Sequence, residues 1–461
     1  MTRRDFCRTT ATAVAALSVP LIIPSRLLGA QAPSNRIRVG QIGCGRIAQG
    51  HDLPGVLKSG LADVVAVCDL DSVRVAQCRQ MIQKTLLDQG ASVPEIAGYG
   101  DYRELLARPD IDAVVISTPD HWHAELALAA IYAGKDVYLQ KPMTMTHEEG
   151  MLLREAVAKS GRIFQLGSQQ RSTEQFRRAC ELVRSGRVGR LQRVEVGLPI
   201  DPTASDNPPQ PVPANLDYDR WLGPTPEVYY TEQRVHPQHD YSRPGWLRND
   251  SYCLGMITGW GAHHYDIAHW GMDTELTGPR RIEGRANFPT NKIWNVHGAY
   301  HIDLTYASGV RLSVADTFPN GIRFLGDEGW IFVTRNELAT SSDPAQNHGG
   351  LKPLDASDPR LVDPNGVSVQ FHRSSEHHHN WLECVRSRAT PMSPAPIAHR
   401  SNTACIVSWI AMKLGRPLTW DPVAERFEND AEANAMLSRP ERGPYGAVRL
   451  SRAHAGQAAA T

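Results

Sequence analysis

Three groups of residues in this 461-residue chain have types and spacings that could do chemistry. The first is Lys141, in "DVYLQKPMT". A lysine is costly at the end of a buried strand, and the proline after it stops the ladder. The second is "GMITGWGAHHYDIAHWG", where His263 and Asp266 are spaced i, i+3 and share one face of a helix while His264 points elsewhere. An imidazole can move a proton, and an ammonium can steady a developing oxyanion. The third is Gly43-Cys44-Gly45-Arg46-Ile47-Ala48, a glycine-rich turn of the kind that cradles phosphates at a helix N-terminus.

The elements around these residues fix what they can do. "IRVGQI" is a strand before the glycines, and a helical pattern follows them. "ADVVAVCD", "IDAVVIS" and "DVYL" are further apolar strands, alternating with helical stretches such as "HWHAELALAAIYAGK". That rhythm predicts a doubly wound parallel sheet, a Rossmann fold, with a ligand cleft at the carboxyl ends of its strands. Asp69 closes the second strand at roughly the 20-residue spacing expected for a carboxylate that takes the adenosine ribose hydroxyls. A carboxylate there repels a 2′-phosphate, so the expected cofactor is NAD, with Arg74 close enough to keep NADP open. His121 and His123 follow a strand end and are expected to face the cofactor. After "FQLGSQQRS" the period changes. "LQRVEVGLP", "RRIEGRANF", "GAYHIDLTYASGVRLSVADT" and "IRFLGDEGWIFVT" alternate apolar and polar residues, which predicts a large open, mainly antiparallel sheet in an α+β domain. Residues 201–258 and 339–370 read as long loops, and "NWLECVRSR" and "NTACIVSWIAMKLG" as amphipathic helices.

Composition narrows the class. With 41% hydrophobic and 21% charged residues the chain can bury a core, and a formal net charge of zero offers no field to hold nucleic acid. Arg3 and Arg4 precede an apolar run and the small residues "LLGAQA", which predicts a twin-arginine signal cut after Ala32 and export to the periplasm, with no membrane span in the mature chain. The expected organisation is a signal over 1–32, a Rossmann domain over 33–172, and an α+β substrate and oligomerisation domain over 173–461. Eight cysteines without regular spacing do not form a disulfide framework. "EHHHNWLE" lacks the spacing of a metal site and reads as a helix start, so no metal is expected.

"TPDHWH", "AGKDVYLQKP" and "GWGAHHYD", with "FQLGSQQRS", "DRWLGP" and "LGRPLTWDP", together resemble the glucose–fructose oxidoreductase / inositol dehydrogenase / MocA family, in particular its exported bacterial members. The resemblance implies an NAD(P)-dependent oxidoreductase acting on a sugar or glycoside, with tightly retained cofactor, working as a homo-oligomer paired through the C-terminal sheet. It implies cofactor contacts from Gly43, Gly45, Arg46, Ile47, Asp69, Thr118, Pro119, His121, His123, Gln140 and Lys141. It implies catalysis by Lys141 and His263, with Asp266 the candidate to support the histidine; and since aromatic faces stack on sugar rings, a carbohydrate wall is expected from Trp122, Gln169, Arg171, Trp246 and His264, with His399 a further candidate. Two departures stand out. Relatives carry a carboxylate at the position of Gly259 and a glutamate at that of Gln140, so His263 and Lys141 must be tuned by other groups. Two alternatives remain: a redox-neutral enzyme that cleaves or epimerises glycosides through transient oxidation, and a dinucleotide-binding protein without turnover.

Overall fold

The computed structural model describes residues 36–205, 207–335, 349–374 and 376–460. The segment read as an export signal lies outside the described residues. Six strands open the fold: β1 Ile37–Ile42, β2 Ala62–Cys68, β3 Ala97–Tyr99, β4 Ala113–Ile116, β5 Asp136–Leu139 and β6 Phe164–Leu166. They form one parallel sheet in the order β3-β2-β1-β4-β5-β6. β4 and β5 are buried at every residue, which is why they read as continuous apolar runs. The order reverses between β1 and β4, and the ends of both strands open into the same cleft.

The second sheet has nine strands: β7 Leu191–Gly197, β8 Arg281–Ala286, β9 Tyr300–Thr305, β10 Arg311–Ala315, β11 Gly321–Gly326, β12 Trp330–Val333, β13 Leu354–Ala356, β14 Leu418–Asp421 and β15 Arg426–Phe427. Their order is β13-β12-β11-β7-β10-β9-β8-β14-β15. All pairings are antiparallel except β7 with β10, so the sheet is mixed rather than purely antiparallel. β13 and a short 3₁₀ turn at Pro359–Val362 fall in the stretch the sequence offered only as a loop. A three-residue edge strand carries too little periodicity to be seen beforehand.

Six helices matter for the site: α1 Ser72–Asp88, α2 His123–Tyr132, α3 His147–Ser160, α4 Gly261–Met272, α5 His377–Ser387 and α6 Ala395–Leu414. α6 is not amphipathic as its sequence suggested. Residues on most of its faces are buried, because it runs between the second sheet and α3. The Tyr265 hydroxyl of α4 donates to Ser408 of α6 at 3.0 Å, and the amide of Asn402 donates to the carbonyl of Thr144 at 3.1 Å. These bonds tie α6 to both halves of the fold.

Between the two halves sits a buried ion cluster. Glu425 Oε2 accepts from His147 Nε2 at 3.0 Å and His399 Nε2 at 2.6 Å, and its Oε1 accepts from Arg154 at 2.7 Å. His399 is therefore a joint between α3, α6 and the β14–β15 turn, not a carbohydrate contact. Glu425→Ala removes the partner of several buried donors at once and should cost about 3 kcal/mol, read as a lowered urea midpoint at unchanged slope.

Candidate active site

The glycine turn has the geometry a dinucleotide needs. Gly43 follows β1 with φ +86°, and a Cβ there would meet the Ser117 carbonyl oxygen at 2.6 Å. Gly45 is the opposite case: a Cβ there would meet only an Arg74 nitrogen at 4.0 Å, so the space above the turn stays open for a phosphate. Asp69 lines the same cleft, and its two oxygens accept the N–H groups of Cys44 at 2.7 Å and Asp71 at 2.9 Å. It therefore braces the glycine turn as well as presenting a carboxylate at the rim. Arg74 donates to the carbonyls of Pro237 at 2.8 Å and Asp240 at 3.3 Å and lies over the Tyr241 ring. A bare turn, an open space above it and a rim carboxylate fit NAD. Thr118 and Pro119, at the end of β4, and Arg46 and Ile47 line the same cleft, which encloses about 490 Å³.

The helix after the turn begins as a wide π-turn, Ala48–Asp52, a feature frequent at functional sites. It drops Asp52 beneath the cleft, fully buried. Asp52 accepts from Gln140 Nε2 at 2.7 Å, His378 Nε2 at 3.0 Å and the Ser117 hydroxyl at 2.6 Å. Burial opposes its charge, but the bonds from His378 and His51 outweigh burial and hold the carboxyl well below the usual range. His378 Nδ1 meets Glu376 at 2.8 Å, and the Tyr138 ring stacks on the imidazole. Burial would discharge His378, yet the two carboxylates push it up to about 9. Gln140 uses its other end on the backbone: its carbonyl accepts the N–H of Lys141 at 3.2 Å. The carboxylate missing at position 140 thus stands one bond further back, as Asp52, and the amide relays it to the main chain of Lys141. The Lys141 side chain crosses the cleft and donates to the carbonyl of Gly259 at 3.1 Å.

His263 stands on α4 and borders the same cleft as this lysine. It is buried, it lines the cleft, and its Nδ1 has no partner among the described residues. Burial, then the charges of Arg335 and Lys141, depress its pKa well below the ordinary value. The ring is therefore neutral at neutral pH. Asp120 lines the same cleft at 4% exposure, and the sequence reading passed over it. Burial pushes its carboxyl up to about 7, with Lys141, Cys253 and Arg243 pulling the other way. The signal for it was present: a carboxylate directly after the strand-end Thr118-Pro119. Trp122, Gln169 and Trp246 also border the cleft.

Other residues offered from sequence lie elsewhere. His121 Nε2–H donates to the Trp221 carbonyl at 2.9 Å, and the ring is packed among aromatic rings. His123 lies between the carbonyls of Pro142 at 2.6 Å and Thr118 at 3.0 Å. Both rings are buried behind the cleft wall, where they hold its turns in place without lining it. Asp266 does not tune His263. It is locked to Arg171 at 2.6 and 2.8 Å and to the Ser401 hydroxyl at 2.8 Å. That pairing removes Arg171 from the carbohydrate wall too, since buried charges must be paired. His264 meets Asn320 at 2.9 Å, also away from the cleft. "EHHHNWLE" is a helix start, with Glu376 as the N-cap of α5. His378 does approach His51 and Asp52, as His147 and His399 approach Glu425, each set within 4.8 Å. The same carboxylates also accept from Gln140 and Ser117, or pair with Arg154 and Arg400.

Residues 37–168 match the profile of an oxidoreductase family, NAD-binding Rossmann fold, and residues 203–333 and 363–447 match the same family's C-terminal alpha/beta domain. The chain belongs to the Gfo/Idh/MocA oxidoreductase family. Inositol 2-dehydrogenase from Burkholderia cenocepacia is 32% identical over 212 residues, 44% of this chain and 58% of that protein. An uncharacterized oxidoreductase from Rhizobium meliloti is 32% identical over 161 residues, 34% of this chain and 44% of that protein. The chain thus spans about half the length of the curated relatives it matches. Among solved structures, the WlbA dehydrogenase from Bordetella pertussis, in complex with NADH and UDP-GlcNAcA, shares the fold with a TM-score of 0.57 at 18% identity, over 84% of this chain and 99% of that one. An aldose-aldose oxidoreductase from Caulobacter crescentus, complexed with glycerol, gives 0.56 at 16% identity, over 83% and 99%. In this family member the first sheet is the NAD-binding half.

The charged His378 makes a pH prediction. Its folded pKa is raised from 6.5 to about 9, so its stabilisation is complete below about pH 6.5 and is lost as pH rises through about 9. His378→Gln should lower the urea midpoint at pH 6.5, and the gap from the native chain should narrow by about pH 10.

Proposed function

We propose that this NAD-binding oxidoreductase acts on the carbinol of a small carbohydrate or polyol and retains its cofactor between turnovers. The observation that carries the reading is that Lys141 and His263 line the same cleft as the glycine turn, with the Lys141 ammonium bonded to the Gly259 carbonyl just before the helix of His263. Gly43, Gly45 and Asp69 would hold the dinucleotide, with Thr118 and Pro119 against its far end. NAD supplies a hydride acceptor at the nicotinamide. The remaining work falls to the chain. The substrate hydroxyl lies between Lys141 and His263. Neutral His263 receives its proton, and the Lys141 ammonium steadies the alkoxide as charge develops. Trp246 and Trp122 border the space left for a ring. Inositol 2-dehydrogenase and aldose-aldose oxidoreductase among the similar proteins support a polyol or sugar as substrate class. Export of a folded, loaded protein and pairing of subunits through the nine-stranded sheet belong to the same proposal.

Two measurements test it. Protein denatured after purification should release close to one NAD(H) per chain, seen by absorbance and mass spectrometry; an empty protein would remove the retained-cofactor reading. His263→Ala should keep its cofactor and lose about 10²–10⁴-fold in turnover with a sugar or polyol pair. A variant that turns over at the native rate would show that the proton goes elsewhere.

A further inference from the structure

Two helix starts bring three potential metal ligands to one point. The π-turn Ala48–Asp52 sets His51 and Asp52 side by side, and the first turn of α5 brings His378 against them. His51 Nδ1 and His378 Nε2 stand 3.3 and 3.0 Å from the same oxygen, Asp52 Oδ1. The first distance is long for a charge-assisted hydrogen bond, which runs about 2.7–2.9 Å. Both distances suit ligands that share an ion. Zinc holds nitrogen and carboxylate oxygen at about 2.0–2.2 Å, so two ligands of one tetrahedral ion stand roughly 3.3 Å apart. Spacing within "EHHHNWLE" could not show this set, because two of its three members lie hundreds of residues earlier.

The surroundings are those of a ligand set. His378 turns its other nitrogen, Nδ1, to Glu376 at 2.8 Å, and a metal-bound histidine is held in this way by a carboxylate behind it. Asp52 in turn accepts from Gln140 at 2.7 Å and Ser117 at 2.6 Å, as ligating carboxylates do. The Tyr138 ring stacks on His378, and Gly55 leaves the imidazole room, since a Cβ there would meet its Nδ1 at 2.3 Å. Asp52 and His378 are fully buried, whereas the His51 side chain is 44% exposed and lines the cleft. The set is closed from behind and open toward the cleft.

We infer that His51, Asp52 and His378 bind a divalent cation of the zinc class, with a fourth position open to the cleft for a water or a hydroxyl oxygen. Two histidines and one carboxylate with an open position is a donor set that zinc takes in catalytic sites. Charge agrees with it. Asp52 and Glu376 together carry two negative charges, which one dication balances. In the metal-free protein a proton on His378 Nε2 fills the same place, and the cation displaces it. The other cluster of this kind, His147 and His399 at Glu425, differs. Arg154 at 2.7 Å and Arg400 at 3.3 Å already stand on that carboxylate, and a dication would add to their charge. The inference concerns binding and stands apart from the oxidoreductase reading.

The test is metal binding by the purified full chain after treatment with a chelator. Zinc sulfate titrated by calorimetry should bind at one ion per chain. Cobalt(II) chloride in its place should give the visible absorption of a four-coordinate ion, and that absorption should shift when azide is added to the open position. His51→Gln, at the exposed edge of the set, should lose at least about 100-fold in zinc affinity, and Glu376→Gln, behind His378, about 10–100-fold. His379→Gln is the control. It lies in the same run of histidines, but its side chain is 39% exposed and pairs with Glu383, so it should bind zinc as the native chain does. A native chain that binds no zinc overturns the inference. So does a His51→Gln chain that binds as tightly as the native one, or an equal loss in His379→Gln. A cobalt spectrum indifferent to azide overturns the open position. None of these readouts involves NAD or a sugar, so they fail or succeed separately from the oxidoreductase reading.

Discussion

The site is built over a buried carboxylate. Asp52 sits where water does not reach, and a charge there survives only if donors surround it. The donors come from distant parts of the chain: Ser117 from the end of β4, Gln140 from the end of β5 and His378 from α5. Meeting the needs of one carboxylate therefore fixes two strand ends of the first sheet and draws a late helix beneath them. It also orients Gln140, and through it the backbone N–H of Lys141. The position of Lys141 at the mouth of the cleft is in this sense a consequence of the solvation of Asp52.

A second buried pair does the same for the opposite wall. Arg171 follows β6, and Asp266 lies on α4 one turn beyond His263. Their two-bond pairing, with Ser401 of α6 added, sets α4 against the first half of the fold. His263 is carried into the cleft by the helix that this pair anchors. Asp266 thus acts on the histidine through the position of its helix and not through its charge. The Glu425 cluster, joining α3 to α6, is a third instance of buried charge used to join elements.

Much of the fold was legible in the residues alone. The doubly wound sheet announced itself through apolar runs at regular intervals, the glycine turn after the first and the carboxylate after the second. The alternating strands of the second half gave the large sheet. The β7–β10 parallel pairing did not show, because strand periodicity is the same for either direction. The burial of α6 on most of its faces did not show either. A helix between two layers has no polar face to break its pattern. Within the site, Lys141, His263 and the glycine turn were all named beforehand. His121 and His123 were misplaced because a histidine after a strand end can face the cleft or the wall behind it, and only packing chooses.

The sequence by itself determined the family, the dinucleotide turn, the rim carboxylate and the lysine at a strand end. These are local facts, since each needs only a few consecutive residues and the strand or helix beside them. The tertiary structure alone decided which polar residues share a cleft. Asp52, Gln140 and His378 meet across hundreds of residues of chain, and Asp120 joins the cleft wall almost wholly buried. Protonation depends on burial and on charges brought close in space. Neither can be read from spacing along the chain, and for that reason the charge states in this cleft were decided by the fold.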